Sequence, residues 1–137
     1  LVYSPNNFDG LTHFLPSHPL DEKVIGAYHA SMDDSVRDGS QTGRKLPPVF
    51  REQGYTLKAL GSSDWTVLGD VNQGAYSHDE GYFLKCILYF IEDSLTDSKC
   101  IDPKDLEDWL STRHKQLDHG QLIYIAHQLD LLASRND

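Results

Sequence analysis

Between Gly43 and Leu68 the hydrophobic period of the chain changes once. Leu46, Val49 and Phe50 recur at helical spacing, Pro47 and Pro48 fit only a first turn, and Gly54 falls where a left-handed residue closes a helix. Beyond Gly54, Leu57, Ala59, Gly61, Ser63, Trp65 and Val67 alternate with Thr56, Lys58, Leu60, Ser62, Asp64 and Thr66, which is the period of a strand. A helix leading straight into one long strand predicts a layered α/β protein.

The same patterning orders the rest of the chain. Leu1 to Ser4 reads as a short buried strand, and PNNFDG after it is turn chemistry, with Asn and Asp side chains for local caps and a glycine free to take positive φ. Ligands of open α/β sheets bind beyond the carboxyl ends of strands, so Asn6, Asn7, Phe8 and Asp9 are candidate site residues; the plainer reading is a polar turn. Thr12 to Leu15 is extended and apolar. A helix then opens near Ser17 or His18, with Pro19 and Asp21 in its first turn and Leu20, Val24, Ala27, Tyr28 and Ser31 on one face, flanked by Ile25 and Met32. Residues 33 to 42 read as a surface loop. Arg44 and Lys45 stand at a helix N-terminus, where a cation is disfavoured unless a carboxylate or another anion is close, a mild sign of a site beside the reading as a solvated pair.

GDVNQGAY is a further loop, and Ser77 with Glu80 matches a capping box that opens a helix running to about Ser94. Phe83, Ile87, Phe90 and Ile91 line one face of it, widened by Leu84, Leu88 and Leu95. Asp102 and Pro103 open the next helix, with Leu106, Trp109, Leu110 and Leu117 facing inward. QLIYIAHQLDLL fits both periods, and its β-branched content after Gly120 favours a strand with Ile123, Ile125, His127, Leu129 and Leu131 on one face; the tail ASRND reads as frayed. The order is strand, helix, helix, strand, helix, helix, strand.

Composition narrows the function. The 137 residues suit one folded domain, and no window approaches the roughly 20 consecutive apolar residues of a membrane-spanning helix. A net charge of -9 disfavours a nucleic-acid partner and suits a small or neutral ligand. Cys86 and Cys100 form no CxxC pair, read as two reduced thiols, and favour a cytoplasmic location. His13 with His18 and His114 with His119 lack both helical metal-ligand spacing and a third ligand, and no GxSxG elbow is present.

Taken together, LVYSPNNFDG, YHASMDD, GRKLPPVFREQGYTLKALGSSDW and QLIYIAHQLDLL resemble the C-terminal half of class I S-adenosylmethionine-dependent methyltransferases. The resemblance spans nearly the whole chain and rests on the succession of soft motifs. It implies the later part of a Rossmann-like α/β sheet: about three strands, the last one antiparallel, with a helical insertion before it. It also implies that the glycine-rich turn and the acidic residue that hold S-adenosylmethionine lie upstream of Leu1. The chain is then expected to be a single-domain fragment, the substrate-side portion of an enzyme that methylates a small molecule. Alone, it is expected to bind no cofactor and to be inactive. Asn6, Asn7 and Asp9, with Tyr28 and Met32 from the following helix, would face the methyl acceptor, and Asp9 is either a base or a loop cap. The rival reading is a non-catalytic α/β module that dimerises or binds a partner through an open sheet edge at LVYS.

Overall fold

The computed structural model describes residues 1–33, 39–70 and 72–135, and the chain is an α/β protein with an open four-stranded antiparallel sheet. In chain order the elements are β1 (Val2–Leu15), α1 (Asp21–Met32), a short 3-10 turn (Gly39–Gln41), α2 (Thr42–Glu52), β2 (Tyr55–Ser62), β3 (Trp65–Val67), α3 (His78–Leu95), α4 (Pro103–Asp118) and β4 (Ile123–Arg135). The sheet order is β1-β4-β2, with β3 also paired to β4. This succession is the expected one, with the long central strand divided at Ser63 and Asp64. The 34–38 part of the expected loop lies outside the described residues.

Several local expectations are corrected. Leu1 to Ser4 is neither short nor buried: Leu1 is 91% and Tyr3 62% exposed, and the strand continues through the turn-like PNNFDG to Leu15. The turn chemistry is nonetheless expressed, since Asn6 and Gly10 take φ of 56° and 75° within the strand. Side chains also bond between this part of β1 and β4. Asn7 Nδ2 donates to the Leu129 carbonyl at 3.0 Å and the Asn6 amide donates to Asp130 Oδ1 at 2.8 Å. The buried phase of β4 shifts at the same place. Leu122, Tyr124, Ala126 and Gln128 are buried, then Leu131 and Ala133, so Ile123, Ile125, His127 and Leu129 share the less buried side and Leu131, expected on the same face, does not stay with them. Ala133 to Arg135, expected to fray, belong to β4.

Helix α2 begins at Thr42, which puts Pro47 and Pro48 inside it and not in its first turn. Each proline lacks the amide proton of an i to i−4 bond, so packing must hold the helix there. Phe50 meets Tyr55 at a tilt with ring centroids 5.3 Å apart, and Gly54 closes the helix at φ 82° as its position requires. Ser77 stands at the N-cap of α3 without capping it: its hydroxyl donates to Glu80 Oε2 at 2.8 Å, so the expected box closes on itself. At α4 the expected cap forms, Asp102 Oδ1 accepting from the Lys104 amide at 2.8 Å with Pro103 first in the helix.

Close contacts divide the chain into two compact units. The first holds Leu1–Thr12, Met32–Trp65 and Ala126–Asp137; the second holds His13–Ser31 and Thr66–Ile125. In the second unit α3 packs on α4. The buried stripe of α3 is Leu84, Leu88, Ile91 and Leu95, whereas Phe90 is 50% exposed. Each fully buried aliphatic side chain on that stripe contributes about 1.5–3 kcal/mol. Phe14 meets Trp109 edge-on at 5.3 Å and Tyr124 at 5.3 Å, and Tyr124 also meets Phe83 at 5.6 Å. Within this apolar cluster lies Arg113, fully buried on the inward stripe of α4. It donates to Asp21 Oδ1, to the Pro16 carbonyl at 2.6 Å and to Gln116 Oε1 at 2.8 Å. Trp109 Nε1 donates to the same Asp21 oxygen at 2.8 Å. Burial pushes the Asp21 carboxyl up, but the bonds from Trp109, Arg113 and the His18 amide outweigh it and hold the group below the usual carboxylate range.

Candidate functional site

The polar centre of the first unit is built around Asp9. Gly43, the second residue of α2, lets the helix N-terminus come down onto β1: a Cβ there would lie 2.7 Å from the Asn7 carbonyl and 3.0 Å from Asp9 Cβ. The approach lets the buried Asp9 accept the Arg44 amide at 2.8 Å, capping α2 from a different element. Arg44 then folds back, Nε donating to Asp9 Oδ1 at 2.9 Å and Nη2 to the Asp9 carbonyl at 2.8 Å. This is the carboxylate that a cation at a helix N-terminus calls for, and the hydrogen bond and charge of Asp9 hold the guanidinium above its ordinary pKa. Asp9 thus caps helix α2 from strand β1, where a loop cap was expected.

Beside Asp9 sits His127 of β4, which sequence patterning treats only as a strand position. Its Nδ1 lies 2.7 Å from Asp64 Oδ1, and its Nε2 lies 3.6 Å from Asp9 Oδ2, beyond hydrogen-bond length. Asp64 occupies the break between β2 and β3. The same Asp64 oxygen accepts from Ser62 Oγ at 2.8 Å and from the Gln128 amide at 3.3 Å. Hydrogen bonds from Ser62 and then His127 hold the Asp64 carboxyl below its ordinary range.

A second knot surrounds Asp130, which accepts from Ser63 Oγ at 2.6 Å, the Asn6 amide at 2.8 Å and Tyr3 Oη at 2.8 Å. These three bonds, Ser63 first, lower the Asp130 pKa, and the bond to Asp130 raises that of Tyr3.

The expected site residues divide accordingly. Asn6, Asn7, Phe8 and Asp9 lie on β1 and not in a loop, and Asn7 is spent on Ser4 and Leu129. Phe8 is half-buried. Met32, at the end of α1, is half-buried in the first unit, and its carbonyl would lie 2.6 Å from a Cβ on Gly39. Tyr28 belongs to the second unit, where burial pushes its phenol pKa up. Of the four groups that meet at this centre, Asp9 and Arg44 carry sequence signals, whereas Asp64 and His127 are far apart in the chain and carry none. Among the described residues no group of three His, Cys, Asp or Glu could hold a metal ion, and no helix is long and apolar enough to cross a membrane.

The lowered carboxyls give a pH dependence. Asp21, Asp64 and Asp130 each have a folded-state pKa below the unfolded value of about 4, so their contribution to stability is present above that value and is lost as pH falls through the folded pKa. Urea midpoints are therefore expected to hold near neutrality and to fall below about pH 4, with Asp130→Asn falling less steeply. Parallel decline of wild type and this variant would remove Asp130 from the account.

No known protein family matches the chain, and neither does any curated protein.

Proposed function

We propose that this chain is the acceptor-side portion of an S-adenosylmethionine-dependent methyltransferase acting on a small molecule. The observation that carries the reading is the path of the last strand. β4 runs antiparallel to β2, Tyr55 opposite Arg135 and Ser62 opposite Leu129, and lies between β1 and β2. The resemblance of the sequence calls for an antiparallel closing strand after an inserted pair of helices, and α3 and α4 directly precede β4.

Gly43, Gly69 and Gly120 do not fit a cofactor cradle. Where a missing Cβ makes room for a close approach, the room is taken by the chain's own backbone: the Asn7 carbonyl at Gly43, the Gly120 carbonyl at Gly69 and the Ala75 amide at Gly120. This supports assigning the donor to residues other than these. A calorimetric titration of the complete gene product with S-adenosylmethionine is expected to give saturable heat, and this chain by itself none. Absence of heat from the complete product would overturn the reading.

A second reading, a non-catalytic module associating through a sheet edge, is favoured by one observation. β1 is last in the sheet order and leaves Leu1, Val2, Tyr3, Leu11 and Leu15 exposed. Light scattering of the complete product separates the two: a stable dimer without donor binding would support the module.

A further inference from the structure

The geometry points to His127, oriented by Asp64, as a base that takes the proton from a hydroxyl or ammonium group of a neutral or cationic small molecule. That the ligand is a methyl acceptor rests on the methyl-transfer reading above; the base itself rests on the side chains.

A usable base needs one ring nitrogen anchored and the other free to accept. Asp64 Oδ1 at 2.7 Å can only accept a hydrogen bond when ionised, so the neutral ring carries its proton on Nδ1. That leaves the lone pair on Nε2. The nearest acidic group to Nε2 is Asp9 at 3.6 Å, too far to hold a proton and already engaged by the Arg44 amide and guanidinium. When Nε2 takes a proton, the O–H or N–H bond of the ligand breaks, its electron pair stays on the ligand atom, and the imidazolium forms between two carboxylates. Asp9 from β1 and Asp64 from the β2-β3 junction are the groups that face the ring, with Arg44 of α2 tied to Asp9. The side chains of His127 and Asp64 are 27% and 40% exposed, so the ring is in part open to solvent. The surrounding carboxylates and the net charge of -9 select against an anionic ligand.

Asp64 is on this account a positioning residue, and two measurements on the protein test the pair. Long-range nitrogen-proton correlation spectra are expected to show neutral His127 with its proton on Nδ1, and Asp64→Ala to move that proton to Nε2. In the second, 4-nitrophenyl acetate, a neutral ester, is the probe: Nε2 takes a proton from the attacking water as the ester C–O bond breaks and 4-nitrophenolate leaves into solution. Adding wild-type protein is expected to quicken phenolate release, His127→Gln to abolish the gain, and His78→Gln, at an exposed position, to keep it. A proton on Nε2 in the wild type overturns the inference, as does an absent rate gain or one that survives His127→Gln. Neither measurement uses the sulfonium donor, so a failed donor titration would remove the methyl-transfer reading without deciding this one.

Discussion

Replacing Arg113 by alanine is expected to lower the unfolding free energy by about 3–5 kcal/mol, the cost typical of removing one partner from a buried ion pair. The guanidinium is wholly inaccessible, and its loss leaves Asp21, among the described residues, with the Trp109 indole and the His18 amide as donors. Packing is lost as well, because the group lies 5.6 Å from the centre of the Phe14 ring and 5.3 Å from that of Trp109. Arg113 Nε is buried without a hydrogen-bond partner, so the wild type already carries one unsatisfied donor. That sets up an informative control. Arg113→Met combined with Asp21→Asn removes both charges and keeps most of the volume, and is expected to recover more than half of the loss. Urea unfolding of the single and double variants measures both quantities, and a loss below about 1 kcal/mol in Arg113→Ala would show that the pair contributes little.

The second large effect is expected at Asp9. Asp9→Ala removes the acceptor of the Arg44 amide, worth about 1 kcal/mol as a helix cap, together with the pairing to the solvent-facing guanidinium. The loss is expected to be at least about 1 kcal/mol. Asp9→Asn keeps an oxygen for the amide and is expected to lose about half as much. Amide exchange at Arg44 should quicken in the alanine variant and stay slow in the asparagine one. If the two variants lose equal stability, the charge of Asp9 and not its capping oxygen holds α2 in place.

These two sites show how far sequence reading reaches. Arg113 stands on the stripe marked by Leu106, Trp109, Leu110 and Leu117, but the apolar period alone did not single it out. Its carboxylate partner was not visible either, since Asp21 lies across the chain on α1. The cations at Arg44 and Lys45, by contrast, signalled a missing negative partner at a helix N-terminus, and only the fold supplies Asp9. The reading of PNNFDG failed in an instructive way. Its residues do adopt the positive φ that turn chemistry implies at Asn6 and Gly10, yet pairing with β4 keeps the segment in a strand. Pro47 and Pro48 failed for a related reason: packing of Phe50 against Tyr55 accompanies a helix that local propensity would have started later.

The sequence by itself determined the succession of helices and strands, the closure of α2 at Gly54 and the start of α4 at Asp102 and Pro103. Each of these depends on backbone preferences and hydrogen bonds within a few residues. The tertiary structure alone decided that β4 lies between β1 and β2, which face of β4 is buried, and that His127 meets Asp64 and Asp9. Those outcomes follow from strand register, where a shift of one residue turns every side chain to the opposite face, and register is a property of paired strands that no single stretch of this chain contains.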